Sequence, residues 1–326
     1  MGVKWGILST AAINELVLAG ARASDRVDVV AVASREFRRA RRYALANDIE
    51  RALATYQALL SDPEVEAVYI PLPNSRHVEW TRRALEAGKH VLVEKPFGRH
   101  AAEVAEVCEL ADRKGLVLAE AFMWRHHPQT ARALALVAEG AIGRLLVVRA
   151  AFSIPLEQLR GADDTRFDPA LDGGSLMDVG CYCVSAIRLV SGAEPVRASA
   201  EQVLSARGVD VVFAATMRMG NGVLGQFECG FLTPHRYALE IVGDEASLFL
   251  GDPWHCREPA IEVRYGNRVE CIAVEQADSY RLQMEAVSDA IRGRSTLAAG
   301  TDDARAQARA IEMLYRSAES GRTIEL

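Results

Sequence analysis

The pattern of hydrophobic and polar positions divides the chain near residue 121. Up to that point short apolar runs alternate with amphipathic stretches, and their periodicity separates predicted strands from predicted helices. The predicted strands are 3–8, 27–33, 65–70, 90–93 and 116–121, and the predicted helices are 11–23, 36–47, 56–60, 75–87 and 101–114. This alternation is typical of a doubly wound parallel sheet, so residues 1–121 are predicted to form a Rossmann domain.

Beyond residue 121 strand patterns follow one another directly, with turn residues such as Gly220-Asn221-Gly222 between them. Strands joined by tight turns pair antiparallel, so residues 122–326 are predicted to form an α+β domain with a large open, mostly antiparallel sheet. Its predicted helices are 128–139, 175–189, 279–292 and 302–320, and its predicted strands are 144–154, 196–204, 209–218, 222–231, 236–243, 246–250, 261–265 and 269–274. The predicted fold class is therefore α/β, with two domains.

Composition and charge narrow the class of protein. The chain has 326 residues, half of them hydrophobic, and a formal net charge of −6, which argues against a nucleic-acid partner. No apolar run approaches the roughly 20 residues of a membrane span, and the N-terminus lacks the pattern of a signal peptide. The six cysteines form no C-x-x-C motif and have no spacing to histidine that indicates zinc. We expect buried reduced thiols, no metal, no membrane partner and a cytoplasmic protein.

The turn after the first strand occupies the place of the dinucleotide fingerprint. Against G-x-G-x-x-G, the three glycine positions are filled by Ser9, Ala11 and Asn14. Small residues still let the backbone approach a pyrophosphate, and the N-terminus of the next helix offers free amides. The candidate cofactor contacts in this turn are Ser9, Thr10, Ala11, Ala12 and Ile13. By itself the motif fits an ordinary tight turn equally well.

The end of the second strand decides which dinucleotide is expected. An acidic residue at this place binds the ribose 2′-hydroxyl of NAD, whereas an arginine accommodates the 2′-phosphate of NADP. The chain carries Ser34, Arg35 and, one turn further, Arg38. Glu36 is the acidic residue nearby, and we interpret it as a cap of the following helix. The pattern favours NADP, with NAD possible, and the alternative is a merely solvated arginine-rich helix face.

A strand that ends in Glu94-Lys95-Pro96 carries the first candidate for chemistry. Proline has no amide to give to a sheet, and it restricts the residue before it to extended geometry. Lys95 therefore lies at the carboxyl end of a strand, where open α/β sheets bind ligands. Only four of the 38 basic residues are lysines, so a lysine at this place indicates a need for a compact ammonium. A lysine that merely precedes a loop is the alternative.

The second candidate for chemistry lies between Asp172 and Tyr182. On a helix Asp178 and Tyr182 are four residues apart and face the same way, so the carboxylate can orient the phenol. Ser175 is predicted to cap that helix. Together with Lys95, the pair could relay a proton while hydride passes between a substrate carbon and a nicotinamide. The bare pair fits a cap interaction and a core tyrosine equally well.

Four motifs follow one another along the chain. They are Gly6-Ile7-Leu8-Ser9-Thr10-Ala11, Pro71-Leu72-Pro73-Asn74-Ser75-Arg76-His77, Glu94-Lys95-Pro96 and Gly173-Gly174-x-x-x-Asp178-x-Gly180-x-Tyr182. Their order and spacing resemble the glucose–fructose oxidoreductase/inositol dehydrogenase (Gfo/Idh/MocA) superfamily over essentially the whole chain. Within it, the chain looks like the branch of trans-dihydrodiol dehydrogenase and NADP-dependent D-xylose dehydrogenase.

The resemblance implies roles for particular residues. Lys95 would be the catalytic lysine, often followed by a cis proline, Tyr182 the acid/base, and Asp178 a support for the substrate or the acid/base. The further residues that it implies as cofactor contacts are Pro71, Leu72, Asn74, His77, Glu94, Lys95, Pro96 and Arg125. Asp172 stands where many relatives have a glycine, and His126 and His127 are expected to serve structure. The resemblance also implies that the C-terminal sheet forms a homodimer, or a dimer of dimers.

These observations predict an NADP-dependent oxidoreductase acting on a hydroxyl or carbonyl of a sugar, polyol or cyclic diol. A non-catalytic nucleotide-binding regulator of the same superfamily is the principal alternative. A glycosidase that uses bound NAD transiently is a third. The intact set of Lys95, Asp178 and Tyr182 favours the dehydrogenase.

Overall fold

The computed structural model of the protein describes residues 2–325. A six-stranded parallel sheet forms the first part of the fold. Its strands are β1 (Val3–Leu8), β2 (Val27–Ala33), β3 (Arg51–Leu53), β4 (Ala67–Ile70), β5 (His90–Val93) and β6 (Leu118–Glu120). The helices between them are α1 (Asn14–Arg22), α2 (Phe37–Ala46), α3 (Tyr56–Leu60), α4 (His77–Glu86) and α5 (Ala101–Lys114). The strand order is β3-β2-β1-β4-β5-β6. The order reverses between β1 and β4, and the carboxyl ends of strands at such a switch point are where these sheets bind ligands.

A nine-stranded mixed sheet forms the second part. Its strands are β7 (Leu145–Ser153), β8 (Pro195–Leu204), β9 (Asp210–Met219), β10 (Leu224–Gly230), β11 (Arg236–Gly243), β12 (Ser247–Leu250), β13 (Ala260–Tyr265), β14 (Arg268–Ala273) and β15 (Ile324–Glu325). The remaining helices are α6 (Pro128–Ala138), α7 (Leu156–Arg160), α8 (Cys181–Ser191), α9 (Ser279–Ile291) and α10 (Thr301–Ser320). The strand order is β14-β13-β12-β11-β7-β10-β9-β8-β15, in which β7 and β10 pair in parallel and the other neighbours antiparallel. The predicted fold class is confirmed.

The two compact units differ from the predicted domains in one segment. The first unit comprises residues up to 123 together with 278–308, and the second comprises residues 124–277 together with those from 309 onward. The sequence assigned 278–308 to the C-terminal domain. These residues belong to the first unit because α9 buries Met284 and Val287 in the same cluster as Trp5 of β1, whose indole donates to Ser288 over 3.1 Å. An amphipathic pattern reveals a buried face but not which sheet it covers.

One face of the nine-stranded sheet is covered by α8, which packs against β7 and β10. Residues of β8, β9 and β10 alternate between buried and exposed, as a sheet with one covered face requires. The exposed side carries charge, including the pairs Arg149–Glu240 at 3.1 Å and Arg236–Glu228. Apolar side chains lie among these charges, such as exposed Ala214 and half-buried Phe249, whose ring lies under Arg264, so the open face is mixed in character.

The cysteines are free, as expected, and five of the six are buried, whereas Cys271 is exposed. Among residues 2–325, no helix combines the length and the apolar character needed to cross a membrane.

Candidate active site

Ser9 joins the ends of the two central strands of the parallel sheet. Its hydroxyl donates to the carbonyl of Pro71 over 3.1 Å and accepts the amide of Ala11 over 3.2 Å. The side-chain amide of buried Asn14 donates back to the Ser9 carbonyl over 3.0 Å. Ser9 has a φ of 138°, in the region that favours glycine, at a position where the fingerprint carries glycine. Two predicted cofactor contacts, Ser9 and Pro71, therefore meet at the switch point.

The turn that follows Ser9 is longer than predicted. Helix α1 begins at Asn14 rather than near residue 11. The carbonyls of Ala11, Ala12 and Ile13 accept the amides three residues further on, over 3.1–3.2 Å. The predicted contacts from Thr10 to Ile13 thus form an open turn before the helix, with Ala12 exposed.

Two arginines, Arg35 before α2 and Arg39 in its first turn, lie beyond the end of β2. Arg39 donates to the carbonyl of Thr10 over 3.5 Å, which brings it to the dinucleotide turn. Burial raises the pKa of Tyr56, and the charges of Arg35 and Arg39 counteract it, so both guanidinium groups lie near the same phenol. Arg39 was not among the predicted residues, because it is one of several arginines at the start of α2 and only the folded turn brings it to Thr10.

The remaining residues of interest after β2 are Ser34, Glu36 and Arg38. Ser34 is buried, and its hydroxyl accepts the amide of Glu36 over 3.4 Å. Arg38 is exposed. Glu36 occupies the N-cap position of α2, as interpreted, although its side chain makes no capping hydrogen bond there.

The carboxylate of Glu94 fixes the backbone at the end of β5. It accepts the hydroxyl of Tyr69 over 2.6 Å and the amide of Lys95 over 3.3 Å. The peptide bond between Lys95 and Pro96 is cis, which the family resemblance implied. Lys95 lies just beyond the carboxyl end of β5, in the first unit.

His77 is buried at the start of α4, a position next to two predicted cofactor segments. Its Nδ1 lies 2.8 Å from the carbonyl oxygen of Pro96, and its Nε2 lies 2.7 Å from that of Leu72. Burial lowers the pKa of His77 to about 4, although the two carbonyls act in the opposite direction. The ring is therefore neutral, donates to one of the two carbonyls, and braces the loops on which Leu72 and Pro96 lie. Asn74 begins the short 3-10 turn that precedes it.

Arg125 is bound to the helix that carries Tyr182. Its Nε donates to the hydroxyl of Ser185 on α8 over 2.8 Å. His127 accepts the amide of Gln129 and caps α6, and burial lowers the pKa of His126 to about 4, with a smaller contribution from Arg125.

The segment before Tyr182 is a π-helical turn over Leu176–Gly180 that runs into α8. An ordinary helix from residue 175 was predicted. π-Helical turns are rare in proteins, but those that occur are often found at functional sites. Because a π turn has a different period from an α-helix, it changes which residues lie side by side around Asp178. Asp172 adopts a left-handed φ of 53°, so the aspartate takes the conformation that a glycine would take there.

Asp210 holds the beginning of this turn. Its buried carboxylate accepts the amide of Leu176 over 2.7 Å, the hydroxyl of Ser175 over 2.8 Å and the hydroxyl of Tyr315 over 2.9 Å. Ser175 makes no capping bond of its own, so the predicted serine cap is wrong. The cap comes instead from Asp210, the first residue of β9, which lies 34 positions after Leu176.

Asp178 and Tyr182 lie in the second unit. Asp178 binds the guanidinium of Arg166, with Nε and Oδ2 2.9 Å apart. The Tyr182 ring is 7% exposed and packs edge-on against Phe152 and Trp254, with centroids 5.2 and 5.9 Å apart. Neither Arg166 nor Asp210 carried a signal in the sequence.

Comparison with known proteins agrees with this architecture. Residues 3–122 match the oxidoreductase family with an NAD-binding Rossmann fold, and residues 130–249 match the GFO/IDH/MocA C-terminal domain. The chain is 38% identical to D-xylose 1-dehydrogenase (NADP(+)) 2 of Haloferax volcanii, over 99% of each chain. It is 34% identical to trans-1,2-dihydrobenzene-1,2-diol dehydrogenase of Bos taurus, over 83% of this chain and 80% of the relative.

A solved structure shows the same fold. A 3-ketoreductase from Actinomadura kijaniata, in complex with NADP and TDP-benzene, superposes with a TM-score of 0.91. The two sequences are 28% identical, and the alignment covers 97% of this chain and 98% of that one. The predicted resemblance is confirmed: the chain belongs to the Gfo/Idh/MocA family of oxidoreductases.

Proposed function

We propose that this chain is an NADP-dependent oxidoreductase that transfers hydride between nicotinamide and a hydroxyl or carbonyl carbon of a sugar, polyol or cyclic diol. The observation that carries the proposal is the pair Arg35 and Arg39 beside the dinucleotide turn, at the place where NAD-specific domains carry an acid. The relatives named for NADP and for sugar or diol substrates support the same choice.

The residues of the first unit fit a dinucleotide. Ser9 takes a glycine-like conformation, so the backbone after β1 can be approached closely. The open turn before α1 offers amides to a pyrophosphate, and Arg35 and Arg39 offer charged donors to a 2′-phosphate. When bound, the nicotinamide supplies or accepts the hydride.

Lys95, Asp178 and Tyr182 are proposed to handle the proton. Tyr182 exchanges a proton with the substrate oxygen, and its packed ring limits the phenol to few orientations. Lys95 binds that oxygen, which favours its anionic form, and the cation also favours ionised Tyr182. Asp178 accepts a hydrogen bond from the substrate or orients the phenol. His77 has both ring nitrogens against carbonyl oxygens, so its geometry favours bracing over direct contact.

The proposal is tested by a screen of sugars, polyols and dihydrodiols with NADP and with NAD, followed by nicotinamide absorbance. Turnover with NADP of at least one compound is expected. Tight NADP binding without turnover of any compound would contradict the enzyme and favour the regulator. Tighter binding of NAD than of NADP would contradict the cofactor preference.

A homodimer through the open face of the nine-stranded sheet is also proposed, together with a cytoplasmic location. The face offers side chains of both signs, such as Arg149, Arg236 and Glu240, and a two-fold axis can set such groups against each other. Light scattering tests the dimer, and microscopy of a tagged chain tests the location.

A further inference from the structure

We propose that Arg166 is a positioning residue for the proposed reaction: it closes a ring of hydrogen bonds that fixes Asp178 ahead of Tyr182. The inference rests on the proposed function and adds a residue to it. All of the groups involved lie in the second unit.

Three contacts form the ring. The amide of Gly174 donates to the carbonyl of Arg166 over 2.9 Å, and the amide of Asp178 donates to the carbonyl of Gly174 over 3.0 Å. The side chain of Asp178 then returns to Arg166, whose Nε lies 2.9 Å from Oδ2. One residue therefore holds both the backbone that leads into the π turn and the carboxylate that the turn presents.

The two glycines show how little room this ring leaves. A Cβ on Gly173 would lie 2.3 Å from the carbonyl oxygen of Arg166. Gly174 has a φ of 121°, and a Cβ there would lie 2.2 Å from Oδ1 of Asp210. The Gly173-Gly174 motif is thus explained by close approach to Arg166 on one side and Asp210 on the other.

Asp164 prepares the guanidinium for this role. Its carboxylate accepts Nη1 of Arg166 over 3.1 and 3.2 Å, and it also accepts the Arg166 amide over 3.0 Å. The side chain of Arg166 is 40% exposed, and that of Asp178 is 16% exposed. The Asp178 carboxylate is the largest influence that raises the pKa of Arg166, so the guanidinium is always charged. A lysine has a single ammonium and cannot reproduce the fork that serves two carboxylates.

The cation has an electrostatic consequence for Tyr182. In the proposed function Asp178 orients the phenol of Tyr182, and from that place its negative charge opposes loss of the phenol proton. Arg166 compensates that charge. Without it, alcohol oxidation should need a higher pH, and a loosened Asp178 should lower turnover by about 10- to 100-fold.

The experiment compares Arg166→Gln and Arg166→Lys with Arg132→Gln. Arg132 is a matched control because it is 41% exposed and pairs with Glu139 at 3.2 Å, on α6 of the same unit. We measure kcat and KM against pH, NADP affinity and thermal unfolding. Arg166→Gln should lower kcat, move its pH profile to higher pH and leave NADP affinity unchanged. Arg166→Lys should recover part of the pH profile, and Arg132→Gln should match wild type.

A double variant separates charge from packing. The double variant Arg166→Gln with Asp178→Asn removes both charges, so its kcat profile should no longer be shifted to higher pH. Its kcat should be no lower than that of Asp178→Asn alone. The inference would be overturned if Arg166→Gln and Arg166→Lys kept the wild-type kcat and pH profile. It would also be overturned if a lower folded fraction explained all of their losses. In both cases the proposed function would stand. A wild-type chain that turns over no substrate would overturn both.

Discussion

Replacing Asp210 tests whether a distant carboxylate holds the turn before Tyr182. Asp210→Ala leaves three donors without their acceptor: the Leu176 amide and the hydroxyls of Ser175 and Tyr315, all of which are buried. A buried donor without a partner costs about 1–3 kcal/mol, so the three together cost about 3–9 kcal/mol. Removing a buried charge offsets about 1–4 kcal/mol of that sum. We expect a net loss of about 2–5 kcal/mol in the free energy of unfolding.

Two measurements read out this change. Calorimetry follows unfolding without assuming that both units unfold together, and amide hydrogen exchange follows the Leu176 amide directly. Tyr315→Phe is the matched control, because it removes one donor and leaves Asp210 with two, and we expect a loss of about 1–2 kcal/mol. An Asp210→Ala variant within about 0.5 kcal/mol of wild type, with unchanged protection of Leu176, would refute the reasoning.

The remaining predictions concern the cofactor, the chemistry, pH and assembly. Arg35→Ala should weaken NADP by about 10- to 100-fold and leave NAD unchanged, because it removes a charged donor worth about 1.5–3 kcal/mol; fluorescence titration checks this, and an equal loss for both dinucleotides would contradict it. Tyr182→Phe should lower kcat by about 10²–10⁴ while folding and NADP affinity survive, and the double variant with Lys95→Ala should be little worse than either single variant; near-normal kcat would move the acid/base elsewhere. Because burial lowers the pKa of His77 to about 4, its neutral form stabilises the fold fully above the unfolded pKa of about 6.5, and this contribution of up to about 3 kcal/mol is lost as the pH falls towards 4. Thermal unfolding should therefore show a smaller loss between these pH values in His77→Asn, relative to its own value at neutral pH, than in wild type. Light scattering at micromolar concentration should report a dimer, and a clean monomer of 35.5 kDa would contradict it.

The sequence predicts features whose cause is local. The strand that ends at Lys95-Pro96 was found because proline stops a sheet and biases the residue before it. The turn after β1 follows from the sequence because a strand precedes it and a helix follows, and its contact with a dinucleotide stays a prediction. Arg35 follows the end of β2, as the sequence predicts, and its contact with the ribose 2′-phosphate stays a proposal. The missed strands β3 and β15 have three and two residues, too few to show a period of two.

Features whose cause is distant were missed. Asp210 of β9 accepts the amide of Leu176 at the start of the π turn. A local capping rule selects Ser175 instead, but Ser175 donates its hydroxyl to Asp210. Arg166 is one of many arginines in the sequence, and its ion pair with Asp178 forms only because the folded loop brings the two side chains together. The assignment of 278–308 failed for the same reason, since the partner of a helix face is fixed only by tertiary packing.

The two units should differ in how far their sequences can change without loss of the site. In the first unit the cofactor candidates are backbone turns and strand ends, so few side chains need to be kept for a dinucleotide to fit. In the second unit Arg166 binds Asp178, and Asp210, which accepts the hydroxyl of Tyr315, binds the amide at the start of the π turn. Loops around such a fixed turn can change without moving it. Relatives named for a pentose and for a cyclic diol, 38% and 34% identical to this chain, fit that division. Substrate preference should therefore follow the loops of the second unit rather than the frame around Asp178.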